Sequence, residues 1–162
     1  AKRELAKDRI RFFVSAAINE EMLVCDLEAE LERLDRDSSI ETTLIIHPQV
    51  LADFFEYQQF LIWADQVLKR MGLRGVFQIA SFHPDYQFGG TSAADAENYT
   101  NRSPYPMLHL LREDSLANAI ANYPDTDKIP ERNIALLESL EPEELRALFF
   151  TAGQHSEAPT DN

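Results

Sequence analysis

The sequence predicts an α/β domain on a mixed four-stranded sheet, in the order β-α-β-α-β-long loop-β-α, with additional C-terminal helices. Three observations carry that prediction. Short runs rich in β-branched and aromatic residues alternate with longer runs whose apolar residues recur at helical spacing. Two strand–helix–strand units follow one another, which implies parallel strands joined by crossovers. A last apolar run, Met107 to Leu111, follows a long loop and is expected to return antiparallel beside them.

The elements follow in order. Lys2 to Lys7 is basic and helix-tolerant, read as the tail of a helix that starts upstream, and Ala1 is not an initiator methionine. Asp8 to Ser15 holds Ile10, Phe12, Phe13 and Val14 between arginines, which fits a short strand with one face better covered than the other. Asn19 suits an N-cap, with Glu20 and Glu21 where the helix dipole favours acids. Leu23, Leu27, Leu31 and Leu34 form one stripe; Asp26, Glu28, Glu30, Glu32 and Asp35 fall mostly off it and read as a solvated face. Glu41 to His47 is a strand with an apolar interior, suited to a sheet covered on both faces. Pro48 is expected at the first position of the next helix, which makes His47 the corner residue. That helix carries Val50, Phe54, Tyr57, Leu61, Ala64, Leu68 and Met71 on one stripe and Phe60, Trp63 and Val67 on a second, so both are expected inside.

Gly72 ends this helix, and Gly75 opens a third strand from Val76 to Phe82. In the loop beyond, Ala93 to Glu97 is read as one helical turn. Pro106 suits a helix start, yet Asp114 or Ser115 is the better N-cap for a helix to Asn122, so Met107–Leu111 is read as the fourth strand. Pro124 to Pro130 reads as a linker, followed by a helix from about Glu131 to Leu137. Another helix is opened by Glu141-Pro142-Glu143-Glu144, with Leu140 and Leu145 placed to staple its start. One domain over 1–150 and a flexible tail over 151–162 are expected.

Composition narrows the function classes. With 28 acidic against 15 basic residues, the net charge of −13 opposes binding to nucleic acid or to anionic membrane surfaces. The single cysteine, Cys25, excludes an internal disulfide and suits a reducing, cytoplasmic setting. No apolar run is long enough for a transmembrane helix, and no signal peptide is visible. Without one, the sequons at Asn98 and Asn101 are read as accidental matches.

Chemistry concentrates between Ser81 and His109, where two histidines, two asparagines, one arginine, three tyrosines and three prolines fall together. His47-Pro48 and His83-Pro84 each leave the carboxyl end of an apolar strand. Parallel strands bring both histidines to one sheet edge, where ligands bind in open α/β sheets. The fourth strand must begin there, which brings Arg102 to His109 along, and the helix expected at Pro48 would aim free N–H groups at an anion. His83, His47 and Asp85 are the candidate catalytic residues; Asn98, Tyr99, Asn101, Arg102 and His109 are the candidate binding residues, for a small anionic ligand.

Two chemistries fit. An imidazole suits general acid–base work on an anion held by the guanidinium of Arg102. A metal site would use His47, His83 and Asp85 or His109, but no paired-ligand motif supports it, and none is assigned. Against both stands a plainer account. A histidine at a strand end can cap the corner, Asp85 and Asn98 can be turn residues, and Tyr86, Phe88, Tyr99 and Tyr105 can be the loop's own small core. Gly89-Gly90 matches neither dinucleotide nor P-loop spacing and reads as a turn. Cys25, Ser81 and Ser103 lack the context of a nucleophile. The leading expectation is a small enzyme acting on an anionic metabolite; the alternative is a non-catalytic ligand-binding or protein-interaction module with a rigid polar loop.

Three long runs resemble a known family. They are Glu41-Thr42-Thr43-Leu44-Ile45-Ile46-His47-Pro48-Gln49, Gln78 to Phe88 around Ser81-Phe82-His83-Pro84-Asp85-Tyr86, and Glu97-Asn98-Tyr99-Thr100-Asn101-Arg102-Ser103-Pro104-Tyr105-Pro106; Ile129-Pro130-Glu131-Arg132-Asn133 is similar too. The family is the uncharacterised bacterial domain-of-unknown-function family numbered 1415, and the resemblance covers nearly the whole chain. It implies a bacterial, cytosolic setting and no known activity. It also implies an Asn-Leu-Cys-Pro-Phe-Ala segment ahead of the position of Ala1.

Overall fold

The computed structural model describes residues 9–122, 129–141, 143–145 and 147. Four strands form one sheet: β1 (Ile10–Val14), β2 (Thr42–Ile46), β3 (Phe77–Phe82) and β4 (Met107–Arg112), in spatial order β1-β2-β4-β3. β1 and β2 are parallel, and β4 runs antiparallel to both β2 and β3. The expected mixed sheet is therefore present, with the returning strand inserted between β2 and β3.

Helix α1 (Glu20–Arg36) starts where Asn19 accepts a hydrogen bond from the Met22 N–H, as its N-cap position requires. Helix α2 (Phe54–Arg70) ends with Gly72 at a φ of +72°, in the left-handed conformation that glycine tolerates without a Cβ clash. Helix α3 (Glu113–Asn122) follows β4 without a break, and α4 spans Ile129–Glu138. The helical turn expected at 93–97 lies a little later, as a 3-10 turn over Ala96–Thr100. At 143–145 the chain is helical again; Leu145 is buried, and the Glu141 N–H donates to the Glu144 carboxylate. The tail expected at 151–162, the Lys2–Lys7 segment and most of the Pro124–Pro130 linker lie outside the described residues.

Register separates the two sheet faces. Ile45, Leu108 and Leu110 share one core with Leu23, Leu27, Leu31 and Leu34 of α1 and Tyr57, Phe60, Ala64 and Leu68 of α2. The row Phe12–Leu44–His109–Ala80 lies on the other face, where Phe12 and Val14 are exposed. Trp63, expected inside, is 58% exposed, because the α2 stripe through Tyr57, Phe60 and Ala64 already fills the contact with sheet and α1.

Glu30 departs from the solvated face expected of its neighbours. Only 3% exposed, it takes both donors of a forked contact from Arg11, Nε at 2.6 Å and an Nη at 2.9 Å. Arg11 thus ties β1 to α1. Arg11→Met leaves the buried carboxylate only the longer pair to Arg33, whose Nε lies 3.7 Å away, and is expected to lower the unfolding free energy by about 2–3 kcal/mol. Adding Glu30→Leu to that variant recovers most of the loss, and urea denaturation of the two variants checks the comparison.

Candidate functional site

The chain leaves β2 differently from expectation. Pro48 does not open a helix. Residues 47–52 form a corner instead, and α2 begins only after Asp53, whose carboxylate accepts from the Glu56 N–H. The physical reason is local. The His47 Nδ1–H donates to the Val50 carbonyl at 3.0 Å, taking an acceptor that a helix from Pro48 would need. Val50 and Leu51 are buried, and burial holds Leu51 at a φ of +60°, a left-handed conformation costing a bulky residue about 1–2 kcal/mol. The helix N-terminus expected to receive an anion is therefore displaced from His47 and carries a carboxylate of its own.

The two His-Pro corners do meet. His47 and His83 are both fully buried, and each packs against the Tyr57 ring, with centroid separations of 5.9 and 5.1 Å. His83 donates from Nε2 to the Leu51 carbonyl at 3.1 Å and accepts at Nδ1 from the Asp85 N–H at 3.0 Å. A carbonyl can only accept and an N–H can only donate, so His83 is the neutral Nε2–H tautomer with both nitrogens committed. His47 carries its proton on Nδ1, which donates to the Val50 carbonyl, and burial disfavours a second proton on Nε2. Its Nε2 is a buried lone pair with no hydrogen-bond partner among the described residues.

The sequence marks Tyr57 only as one position in an apolar stripe. Its hydroxyl accepts from the Phe82 N–H at 3.1 Å and donates to the Met107 carbonyl at 2.6 Å, joining the ends of β3 and β4. Burial pushes its pKa well up, so it remains a donor. A buried tyrosine hydroxyl needs a partner, and that was the one signal available beforehand.

The remaining predicted residues turn inward, toward the loop's own backbone. Buried Asn98 accepts from the Phe88 N–H and the Thr91 hydroxyl, both at 2.9 Å, and donates to the Ser92 carbonyl at 2.7 Å. Arg102 donates to the carbonyls of Tyr86 and Ala93 at 3.3 and 2.6 Å, and its guanidinium lies 4.3 Å from the Tyr99 ring centre. Asn101 donates to the Ser81 carbonyl at 3.1 Å, while its own carbonyl accepts from the His83 N–H at 3.2 Å. Asp85 contributes a backbone N–H and is itself exposed. Tyr86 packs on Phe54 and Phe88, as a small loop core would, whereas Tyr105 is exposed.

His109 is not brought to this cluster. It sits mid-strand on the other sheet face, with Nε2 at 2.8 Å from the Thr42 hydroxyl. Among the described residues no group of three His, Cys, Asp or Glu could hold a metal ion, and no helix is long and apolar enough to cross a membrane.

The model of a family described as a protein of unknown function (DUF1415) matches residues 1–147. No curated protein and no solved structure matches the chain.

Burial pushes the His47 imidazole below its ordinary pKa; the Val50 carbonyl works against that, and neighbouring His83 adds to it. Burial also pushes His109 down. The unfolded chain titrates these groups near ~6.5, so it binds more protons than the folded chain below that pH. Stability is expected to be full above about pH 6.5 and to fall as the pH drops below it. Urea midpoints from pH 8 to 5 check this, a flat profile contradicting it. Asn98→Ala strips three hydrogen bonds from a buried site and is expected to cost about 2 kcal/mol in the same assay.

Proposed function

Because this chain belongs to the DUF1415 family of proteins of unknown function, and that membership carries no activity, we propose a function from its geometry: a non-catalytic protein-interaction module whose polar loop is a rigid docking surface. One observation carries the reading. His83, Asn98, Asn101 and Arg102 spend their hydrogen-bonding groups on backbone within the loop and the neighbouring corner. A loop fixed this way presents its outward side chains, among them Asp85, Phe88 and Tyr105, with little ordering entropy left to lose on binding. Tyrosine and phenylalanine are common anchors of such surfaces. The net charge of −13 favours a basic protein partner over nucleic acid or anionic lipid. A cytosolic setting accompanies this reading, supported by the single cysteine and by the family resemblance.

A second reading, a small enzyme acting on an anionic metabolite, has the bare Nε2 of His47 in its favour, since a buried basic atom is suited to receive a proton. Against it, both imidazoles are fully buried and touch no surface that a solute reaches.

Two measurements on the full chain separate the readings. Thermal melts with phosphate, sugar phosphates, nucleotides and carboxylates are expected to show no shift. A photo-crosslinking amino acid in place of Tyr105 is expected to capture one specific protein in cells, and Asp85→Lys, at an exposed side chain, to abolish that capture without lowering Tm. A melt shifted by one of these anions, and restored to the unliganded value by His47→Gln, would overturn the docking reading in favour of the enzyme.

A further inference from the structure

Beyond Phe77, which is bridged by Arg74, the outer edge of β3 pairs with no strand among the described residues, and a cavity runs beside it. Alternation in the β3–β4 ladder fixes which backbone groups face out. The Glu113 N–H donates to the Val76 carbonyl, so Val76, Gln78, Ala80 and Phe82 pair toward β4, and Phe77, Ile79 and Ser81 point away from the sheet. The loop already uses the far end of this edge: Asn101 takes the Ser81 carbonyl and the His83 N–H. The Phe77 N–H is taken by the Leu73 carbonyl. Between these, the N–H and C=O of Ile79 and the N–H of Ser81 have no partner among the described residues. Natural edges are guarded by proline, lysine or a bulge, and Phe77-Gln78-Ile79-Ala80-Ser81-Phe82 has neither proline nor charge.

Alongside lies a cavity of about 440 Å³ between β3 and α2, lined by Leu61, Asp65, Leu68, Arg74, Ile79 and Glu113 among others. Its lining is mixed. Leu61, Leu68 and Ile79 are apolar. Asp65, one turn from each leucine on α2, is already paired with Arg74, while the Glu113 carboxylate has no ion-pair partner among the described residues. The net charge there is negative, in a chain that is negative throughout.

We propose that this groove binds an extended peptide segment of another protein as a fifth strand on β3. Such a segment satisfies the Ile79 and Ser81 backbone groups by main-chain pairing, and pockets for alternate side chains select it. The residue in register with Ile79 sends its side chain to the same sheet face as Ile79, toward Leu61 and Leu68, and is apolar. A lysine or arginine of the same segment is drawn by the net negative charge that Asp65, Arg74 and Glu113 give the cavity. The site is separate from the loop surface above and does not depend on that reading.

The test uses the full chain and a library of blocked nine-residue peptides of alternating threonine and valine, each with a single lysine or a single glutamate. Lysine-bearing members are expected to bind, and to slow amide exchange at Ile79 and Ser81. N-methylation of alternate peptide amides is expected to weaken binding about tenfold when it falls on the pairing edge, by loss of its hydrogen bonds, and to leave it unchanged on the other edge. Glu113→Lys is expected to reverse the preference to glutamate; if that variant fails to fold, the N-methyl comparison, which needs only the unaltered chain, decides. The proposal is overturned if no member binds, or if binding ignores N-methylation. It is equally overturned if Ile79 is already protected from exchange in the free chain, which would mean a segment of the chain itself covers the edge.

Discussion

One hydroxyl group holds the carboxyl end of the sheet in place. Phe82 and Met107 are register partners on β3 and β4, and the ladder there is closed through Tyr57, which accepts from one strand and donates to the other. A helix side chain thus completes a sheet. Because Tyr57 also carries both imidazoles on its ring, the position of α2, the splay of β3 against β4 and the two His-Pro corners are a single packed unit. Neutral histidines suit that unit. A charged imidazole in it would be buried without a carboxylate beside it, whereas the neutral form offers one donor to each of two consecutive carbonyls, Val50 and Leu51. Those two bonds hold Leu51 in a conformation it would not otherwise keep.

The same economy governs the loop. Asn98 does the work of a short piece of secondary structure, giving three side-chain hydrogen bonds to a stretch with little regular pairing of its own. Arg102 stacks on Tyr99 and bridges two carbonyls that are distant in sequence. Density of polar residues in a loop is therefore a sign of a fixed shape before it is a sign of chemistry. Function, on this view, lies with what the fixed loop leaves on its outside.

Much of this was legible in the residues, for definable reasons. Met107–Leu111 follows a loop after two crossover units, so its antiparallel return was a matter of topology. Asn19 and Gly72 act through their own local geometry, which sequence states directly. That the two His-Pro corners meet followed from strand direction alone. What the sequence could not show is competition between neighbours. Pro48 is a good helix start in isolation, yet the imidazole of His47 and the cap at Asp53 outbid it. Glu30 looks like one more acid on a wet face until Arg11, nineteen positions away, reaches it from β1. Whether His83 faces a solute or a carbonyl depends on where Leu51 sits, and a left-handed leucine has no sequence signature. His109 illustrates the period of a strand: one residue from Leu108, it belongs to the opposite face.

The strand order has a further consequence, for synthesis. Among the described residues β3 neighbours no strand except β4, and β4 is the last of the four to be made. A nascent chain that has emerged through Phe82 can pair β1 with β2, but β3 has nothing to add to and must wait on its helix. Only when Arg112 clears the ribosome can β4 slide between β2 and β3 and close the gap. Until then two unfinished strand margins face solvent, so the vulnerable interval is set by the time needed to translate the loop.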